Sequence, residues 1–216
     1  MPSDSTVRPI RSGRPFRARR SRRAVGVALA AVFIIGLSAC APDAVSESFL
    51  DGENTGYVAA DGAIVEIPVA ERGEPVEYAG VTERGESFDS ADIAGQVTVV
   101  NFWYAGCAPC RLEAADLEAV WQEFKDDGVS FVGINTRDQA DTAVAFAEEF
   151  GITYPSLIDV DTAQAKLAFA KEAPISATPT TLVLDKQGRV AARIIGPIDG
   201  TSILATLVKD ALAEDS

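Results

Sequence analysis

No histidine occurs among the 216 residues, and cysteine and methionine are scarce, at three and one. Without histidine the chain cannot build a histidine-based nucleophilic triad or any His-dependent metal centre. Structural zinc takes four Cys or His ligands, and three cysteines with no second Cys pair fall short of that set, so no metal is expected. Basic residues are also few, 19 against 32 acidic, and eight of the 19 lie within the first 23 positions. Residues 40–216 keep 11 basic and 31 acidic side chains, a formal charge of −20 against −13 for the whole chain. Phosphate backbones would be repelled by such a surface, which excludes nucleic acid as a partner.

The clustered arginines (Arg8, Arg11, Arg14, Arg17, Arg19, Arg20, Arg22, Arg23) face a single acid, Asp4. An apolar run from Ala24 to Leu37 follows and ends in Leu37-Ser38-Ala39-Cys40. A basic stretch, a short apolar stretch and a small-residue cut site form an export signal. The run is short for a spanning helix, which needs about 20 apolar residues. Cysteine directly after Leu-Ser-Ala resembles the lipobox of bacterial lipoproteins, which implies that Cys40 starts the processed chain and carries diacylglycerol. A short signal anchor with an incidental cysteine is the alternative. The acidic surface disfavours adhesion to anionic lipid, which leaves the lipid chains as the tether.

Residues 1–39 are thus read as a lipoprotein-type signal peptide, 40–62 as a flexible tether and 63–216 as one domain. The tether is acidic and small (Pro42, Asp43, Ser46, Glu47, Asp51, Gly52) and buries too little to order itself. Strand and helix patterns alternate beyond it. Ile64–Ile67 and Val76–Val81 read as short strands, and Val97–Tyr104 and Val129–Ile134 as strands buried on both faces. A helix is expected from about Cys107. A second covers Asp138–Phe150, with Ala143, Phe146, Ala147 and Phe150 on one face and Gly151 as its stop. A looser one spans about Thr162–Lys171. Thr180–Asp185 and Val190–Ile195 form a hairpin turning at Lys186-Gln187-Gly188. The last helix starts near Thr201 or Ser202, with Leu204, Leu207, Val208 and Ala211 inward. This order predicts a three-layer α/β/α sandwich around a mixed sheet, with a short N-terminal strand extension.

Cys107 and Cys110 stand three apart where the buried strand gives way to a helix. If Cys40 carries lipid, they are the remaining pair in an oxidising compartment. A purely structural disulfide would close a loop of two residues and stabilise little, because loop entropy grows with length. A redox couple is the other reading, and the spacing has a mechanical reason for it. Unsatisfied N–H groups and the macrodipole at a helix start stabilise a thiolate, lowering its pKa and making it the nucleophile. Cys110, one turn on, then closes on the mixed disulfide. Pro109 sits in the first turn, where a missing N–H costs nothing.

Asn101-Phe102-Trp103 before Cys-Ala-Pro-Cys-Arg, with Thr178-Pro179-Thr180-Thr181-Leu182 before a strand, resembles the thioredoxin superfamily. More narrowly it resembles the membrane-tethered TlpA/ResA-type and DsbE-like thiol-disulfide oxidoreductases, over roughly Phe88 to Leu212. The resemblance implies a cis peptide before Pro179, with the Thr178 backbone facing the cysteines and pairing with an extended substrate. From the residues alone, Thr178-Pro179 is equally an ordinary trans turn.

Glu113 lies in the apolar stripe of the cysteine helix, with Leu117, Val120 and Phe124 at +4, +7 and +11. Burial there raises a carboxyl pKa and suits it to pass protons near neutrality, as the related reductases do with an acid three residues after the second cysteine. The bland alternative packs the stem of Glu113 and sends its head to solvent. Asn101 takes the position of a buried aspartate in thioredoxins proper; it cannot titrate, which passes the acid role to Glu113, or it is a satisfied core amide. Trp103 either contributes to substrate contact or is ordinary core. Where many relatives have tryptophan just before the first cysteine, this chain has Gly106.

These residues point to an enzyme exchanging disulfides at Cys107 and Cys110, with Glu113 as proton carrier, substrate contact at Thr178, Pro179 and Trp103, and no cofactor. Its partners would be cysteine-containing extracytoplasmic proteins and a membrane redox donor or acceptor. As reductant it would serve the haem-binding cysteines of apocytochrome c; as oxidant it would form disulfides in secreted proteins. A thiol peroxidase shares the fold, but its pattern needs Pro at 100 and Thr or Ser at 104, where Val100 and Tyr104 stand. A non-catalytic binding lipoprotein on the same scaffold is a third class. The localisation implied is the extracytoplasmic side of the cell membrane. Cys40→Ser is expected to release the protein from membranes or to block its processing; a correctly cleaved variant that still sediments with membranes would contradict the lipid anchor.

Overall fold

The computed structural model describes residues 63–173 and 175–214. The signal segment, Cys40 and the proposed tether lie outside them. A six-stranded mixed sheet forms the middle of the domain. Its strands are β1 (Ile64–Glu66), β4 (Val97–Trp103), β5 (Val129–Asn135), β6 (Ser156–Ile158), β7 (Thr180–Leu184) and β8 (Val190–Ile195), in the order β1-β8-β7-β4-β5-β6. β4, β5 and β6 run parallel, whereas β7, β8 and β1 add on antiparallel.

Every residue of central β4 is buried, which explains its near-continuous apolar run, interrupted by Thr98 and Asn101: hydrogen-bonded neighbours flank it and layers cover both faces. Alternate side chains divide between those faces. Val97, Val99 and Trp103 join the core under α1 (Ala108–Phe124), α2 (Ala140–Phe150) and α4 (Ser202–Ala213). Val100 and Phe102 join the opposite core. That second layer is thin. It consists of the short α3 (Gln164–Ala168), a hairpin of β2 (Ala79–Val81) with β3 (Ser87–Asp89), and the 3-10 turn Ser90–Ile93. Phe169 is its centre, fully buried, edge-on to Phe102 with ring centroids 5.4 Å apart and 5.1 Å from Tyr78.

The expected plan, N-terminal strand included, is the observed one, with local differences. Only Ala79–Val81 of the Val76–Val81 stretch pairs as a strand; Val76 and Tyr78 instead bury their side chains. The helix expected over 162–171 is confined to Gln164–Ala168. Asp159 sets its start, accepting the N–H groups of Ala165 and Lys166 at 2.9 Å each. Strand β6 carries only three residues, too few for a period to register.

Three separate chain segments are fastened by one cation. Arg72, with a side chain 1% exposed, lies 3.0 Å from Asp185 and 2.5 Å from Glu214. Its Nε donates to the Ile67 carbonyl at 2.9 Å. The N-terminal segment, the β7–β8 turn and the chain after α4 thus share one buried guanidinium. Removing one partner of a buried pair leaves uncompensated charge, at a cost of roughly 3–5 kcal/mol. Arg72→Met is therefore expected to lower the urea-derived unfolding free energy by about 3 kcal/mol; a loss below about 1 kcal/mol would mean that the freed carboxylates rehydrate.

Candidate active site

Cys107 is the N-cap of α1, and its sulfur accepts the N–H of Cys110 at 3.2 Å. The two cysteines are joined as a disulfide, with Cα atoms 5.2 Å apart. Pro109 fits the first turn, as helix starts allow. The helix start thus places its free N–H groups and positive dipole end at the Cys107 sulfur, where negative charge appears when the ring opens.

The peptide before Pro179 is cis. Phe102 pairs with Thr180 across the antiparallel β4–β7 ladder, so the residues preceding β7 lie beside those following β4. This register brings the Thr178 carbonyl oxygen to 3.8 Å from the Cys107 sulfur, although 71 residues separate them. Both cysteines are 2% exposed. Gly106 is exposed and carries no side chain, which leaves the approach to Cys107 between the 104–106 turn and the Thr178 backbone.

Glu113 is fully buried. Its Oε1 accepts the Asn101 side-chain amide at 2.9 Å and its Oε2 accepts the backbone N–H of Ile198 at 2.9 Å. Burial pushes the carboxyl up from the ordinary 4.5 to about 7; the Ile198 and Asn101 donors pull it down, and the nearby Asp116 charge adds to the rise. The stem-in, head-out alternative is excluded by this geometry. Asn101 is 4% exposed and also donates to Thr181 Oγ1 at 3.0 Å. It is both a satisfied core amide and the link from Glu113 to the strand that follows the cis proline.

Trp103 takes the second of its two expected roles, ordinary core, and does so next to Cys110. It is a core residue that also lines a small cavity with Cys110: it is 5% exposed, packed against Phe146 with ring centroids 4.3 Å apart, and its Nε1 donates to Ser156 Oγ at 3.2 Å. Strand parity puts it on the covered face with Val97 and Val99. The aromatic side chain beside Gly106 is Tyr104, whose ring lies 3.6 Å from the point where Gly106 would carry a Cβ. Arg137 stacks on that ring, its guanidinium carbon 4.2 Å from the centroid. Asp138 holds the same turn by accepting the Ala105 N–H at 2.6 Å. Tyr104, Arg137, Asp138, Thr181 and Ile198 escaped the sequence reading. Their roles arise from contacts between distant segments, which leave no local pattern.

A groove of about 580 Å³ lies at the opposite ends of β4 and β7, around Thr98, Leu184 and Lys186. It contains none of these groups. Among the described residues no cluster of His, Cys, Asp and Glu is arranged to hold a metal ion.

Residues 73–193 match the AhpC/TSA family. The chain is 35% identical over 112 residues to the thiol:disulfide interchange protein HelX of Rhodobacter capsulatus, covering 51% of this chain and 59% of HelX. It is 26% identical over 136 residues to the thiol-disulfide oxidoreductase ResA of Halalkalibacterium halodurans, covering 62% and 74%. The secreted thiol-disulfide isomerase of Corynebacterium glutamicum superposes with a TM-score of 0.64 at 30% identity, covering 74% of this chain and 99% of that one. The match to HelX thus spans less than two thirds of that relative's length.

Glu113 has a signature in stability. Unfolded, it ionises near the ordinary 4.5; folded, it keeps its proton to about 7. As pH rises through that window the unfolded chain releases a proton that the native state retains. The carboxyl's contribution is therefore full below about pH 4.5 and gone above about 7. Relative to Glu113→Gln, the wild type is expected to lose on the order of 3 kcal/mol across the window. The slope matters more than the offset, because a glutamine amide sets its NH2 against a donor that the carboxylate satisfied. Urea melts of both proteins from pH 4 to 8 check it, and parallel curves would place the carboxyl in water.

Proposed function

The chain belongs to the AhpC/TSA family, and from that membership and its site we propose that it is an extracytoplasmic thiol-disulfide oxidoreductase, tethered to the membrane through Cys40. One observation carries the reading: the Cys107–Cys110 disulfide sits at the start of α1, facing the backbone before a cis proline. A strand of substrate lying along Thr178 would present its sulfur to Cys107.

In the oxidising direction a substrate thiolate attacks the Cys107 sulfur. The Cys107–Cys110 bond breaks, Cys110 leaves as a thiolate, and neutral Glu113, one turn along the helix, supplies its proton. A second substrate thiolate then attacks the substrate sulfur of the mixed disulfide, releasing the oxidised substrate and reduced Cys107. In the reducing direction the Cys107 thiolate attacks a substrate disulfide and expels one substrate thiol. Cys110 gives its proton to ionised Glu113 and closes on Cys107, releasing the second thiol. A carboxyl poised near 7 serves both directions.

The helix dipole acts on Cys107, while Cys110 lies inside the turn. This makes Cys107 the attacking sulfur. A measured reduction potential separates service to apocytochrome c cysteines from disulfide formation in secreted proteins, because the direction follows from the potential against the partner's. The peroxidase alternative lacks its pattern at Val100 and Tyr104: Val100 is core and Tyr104 lies under Arg137. A non-catalytic binding role gives no use to a titratable carboxyl buried one helical turn from Cys110.

Cys110→Ser is expected to accumulate mixed disulfides with extracytoplasmic proteins through Cys107, visible on non-reducing gels and lost with reductant. Cys107→Ser should trap few or none. Equal trapping by both variants, or trapping by Cys107→Ser alone, would overturn the assignment.

A further inference from the structure

We propose that Arg137, laid on Tyr104 at the lip of the disulfide, is a specificity-determining residue that receives an acidic side chain flanking the substrate cysteine. The inference rests on the exchange activity proposed above and names a substrate class for it.

Parallel neighbours β4 and β5 end together, Trp103 opposite Asn135, so the residues after both strands gather at one sheet edge. The Thr136 N–H donates to the Trp103 carbonyl at 3.1 Å and ties the two ends. The Cys107 N–H donates to the Tyr104 carbonyl at 3.1 Å, closing a turn that sets Tyr104 beside the sulfur-bearing residue. With no side chain at Gly106, the Tyr104 ring forms the wall of the approach, and Arg137 lies across it.

Arg137 is exposed, and no carboxylate of the described residues lies within 4.0 Å of it. Arg72, Arg84, Arg111, Lys171, Arg189 and Lys209 each have one, whereas Lys125, Lys166, Lys186 and Arg193, which lie away from the Tyr104 turn in sequence, like Arg137 have none among the described residues. Neighbouring Asp138 is committed elsewhere: its Oδ2 accepts from Ala105 N–H at 2.6 Å and from the Asn135 amide at 2.9 Å. A guanidinium stacked on a ring keeps its N–H edge outward, and that edge matches a carboxylate with two parallel hydrogen bonds. On a chain of formal charge −13 this is an exposed guanidinium on the turn that precedes Cys107. Acidic substrates are repelled by the surface at large and held only in the pose that reaches Arg137, so the arrangement selects orientation as well as identity.

The experiment uses the reduced Cys110→Ser protein and short peptides whose single cysteine is capped as a thionitrobenzoate mixed disulfide. The flanking residue is Glu, Gln or Lys. The Cys107 thiolate attacks the peptide sulfur, the peptide–thionitrobenzoate bond breaks, and the coloured thiolate leaves, giving one reading per exchange. The Glu peptide is expected to react about threefold to fivefold faster than the Lys peptide, in keeping with the modest strength of exposed ion pairs. The preference should shrink in 0.5 M salt. Arg137→Gln is expected to bring the ratio to one or below, and Arg137→Lys to leave an intermediate value, because charge remains while the fork is lost. An unchanged Glu-to-Lys ratio in Arg137→Gln, even with all rates lowered, overturns the proposal. Failure of the Cys110→Ser protein to react with any peptide, or with the free reagent, would instead overturn the exchange activity itself.

Discussion

A carboxyl sealed from water between two N–H donors is the constraint on which the rest of the site depends. Glu113 accepts from Asn101 on β4 and from Ile198 in the β8–α4 connection. Both partners, as oriented, are donors, so both favour the ionised form, while burial, and to a lesser degree the Asp116 charge, favour the neutral one. Neither influence overwhelms the other, which keeps the group near neutrality. The proton of the neutral form finds no acceptor in Asn101 Nδ2 or the Ile198 N–H. It is held against a shell built to receive negative charge, and a thiolate one turn along the helix is a better destination than either donor.

The same carboxyl fixes distances between parts of the chain that would otherwise meet only through apolar packing. Asn101 and Thr181 are cross-strand partners, and the amide that reaches Glu113 also reaches the Thr181 hydroxyl. Thr181 is two residues past the cis proline, so the loop facing Cys107 is referenced to the helix bearing Cys107 through two hydrogen bonds. Asp116, one turn further along, accepts the Gly200 N–H at 3.2 Å and holds the β8–α4 loop a second time. Hydrophobic contact is non-directional and would tolerate small slips of α1 over the sheet. Directional bonds in a dry interior do not. The proposed exchange, in which sulfur, peptide backbone and carboxyl must stay in register, gains from the second kind of contact.

What the sequence made legible follows from which features are local. Central β4 and helix α1 could be read because burial on both faces gives a near-continuous apolar run and burial on one face gives a 3.6 period. Glu113 and Asn101 stood out for the same reason, as polar residues inside apolar patterns. Their partners did not, because Ile198 and Thr181 lie 85 and 80 residues away and are ordinary in their own neighbourhoods. Trp103, close to Cys107 in sequence, is core packing that also lines a small cavity with Cys110. Its strand parity with Val97 and Val99 already assigned it to the covered face. The short α3 was overextended because Ala-rich composition permits a longer helix, whereas the Asp159 cap and the left-handed Ala163, at φ 53°, set where it starts.

Two ranges of electrostatics meet at the disulfide edge. The acid excess is spread over the surface and acts on approach, falling off over about 10 Å at 0.1 M salt. It disfavours acidic partners in every orientation alike and so cannot by itself distinguish one docking pose from another. In the proposed role Arg137 would act at contact, on a chain threading past Tyr104, where screening is weakest and geometry matters most. In the proposed exchange Cys107, Cys110 and Glu113 touch only sulfur and proton, and so have no means of telling one cysteine-bearing chain from another. Discrimination must come from groups that meet the residues beside the substrate sulfur. A turn with glycine at 106, an aromatic wall at 104 and an unpaired cation at 137 supplies such groups without altering the sealed proton carrier beneath them.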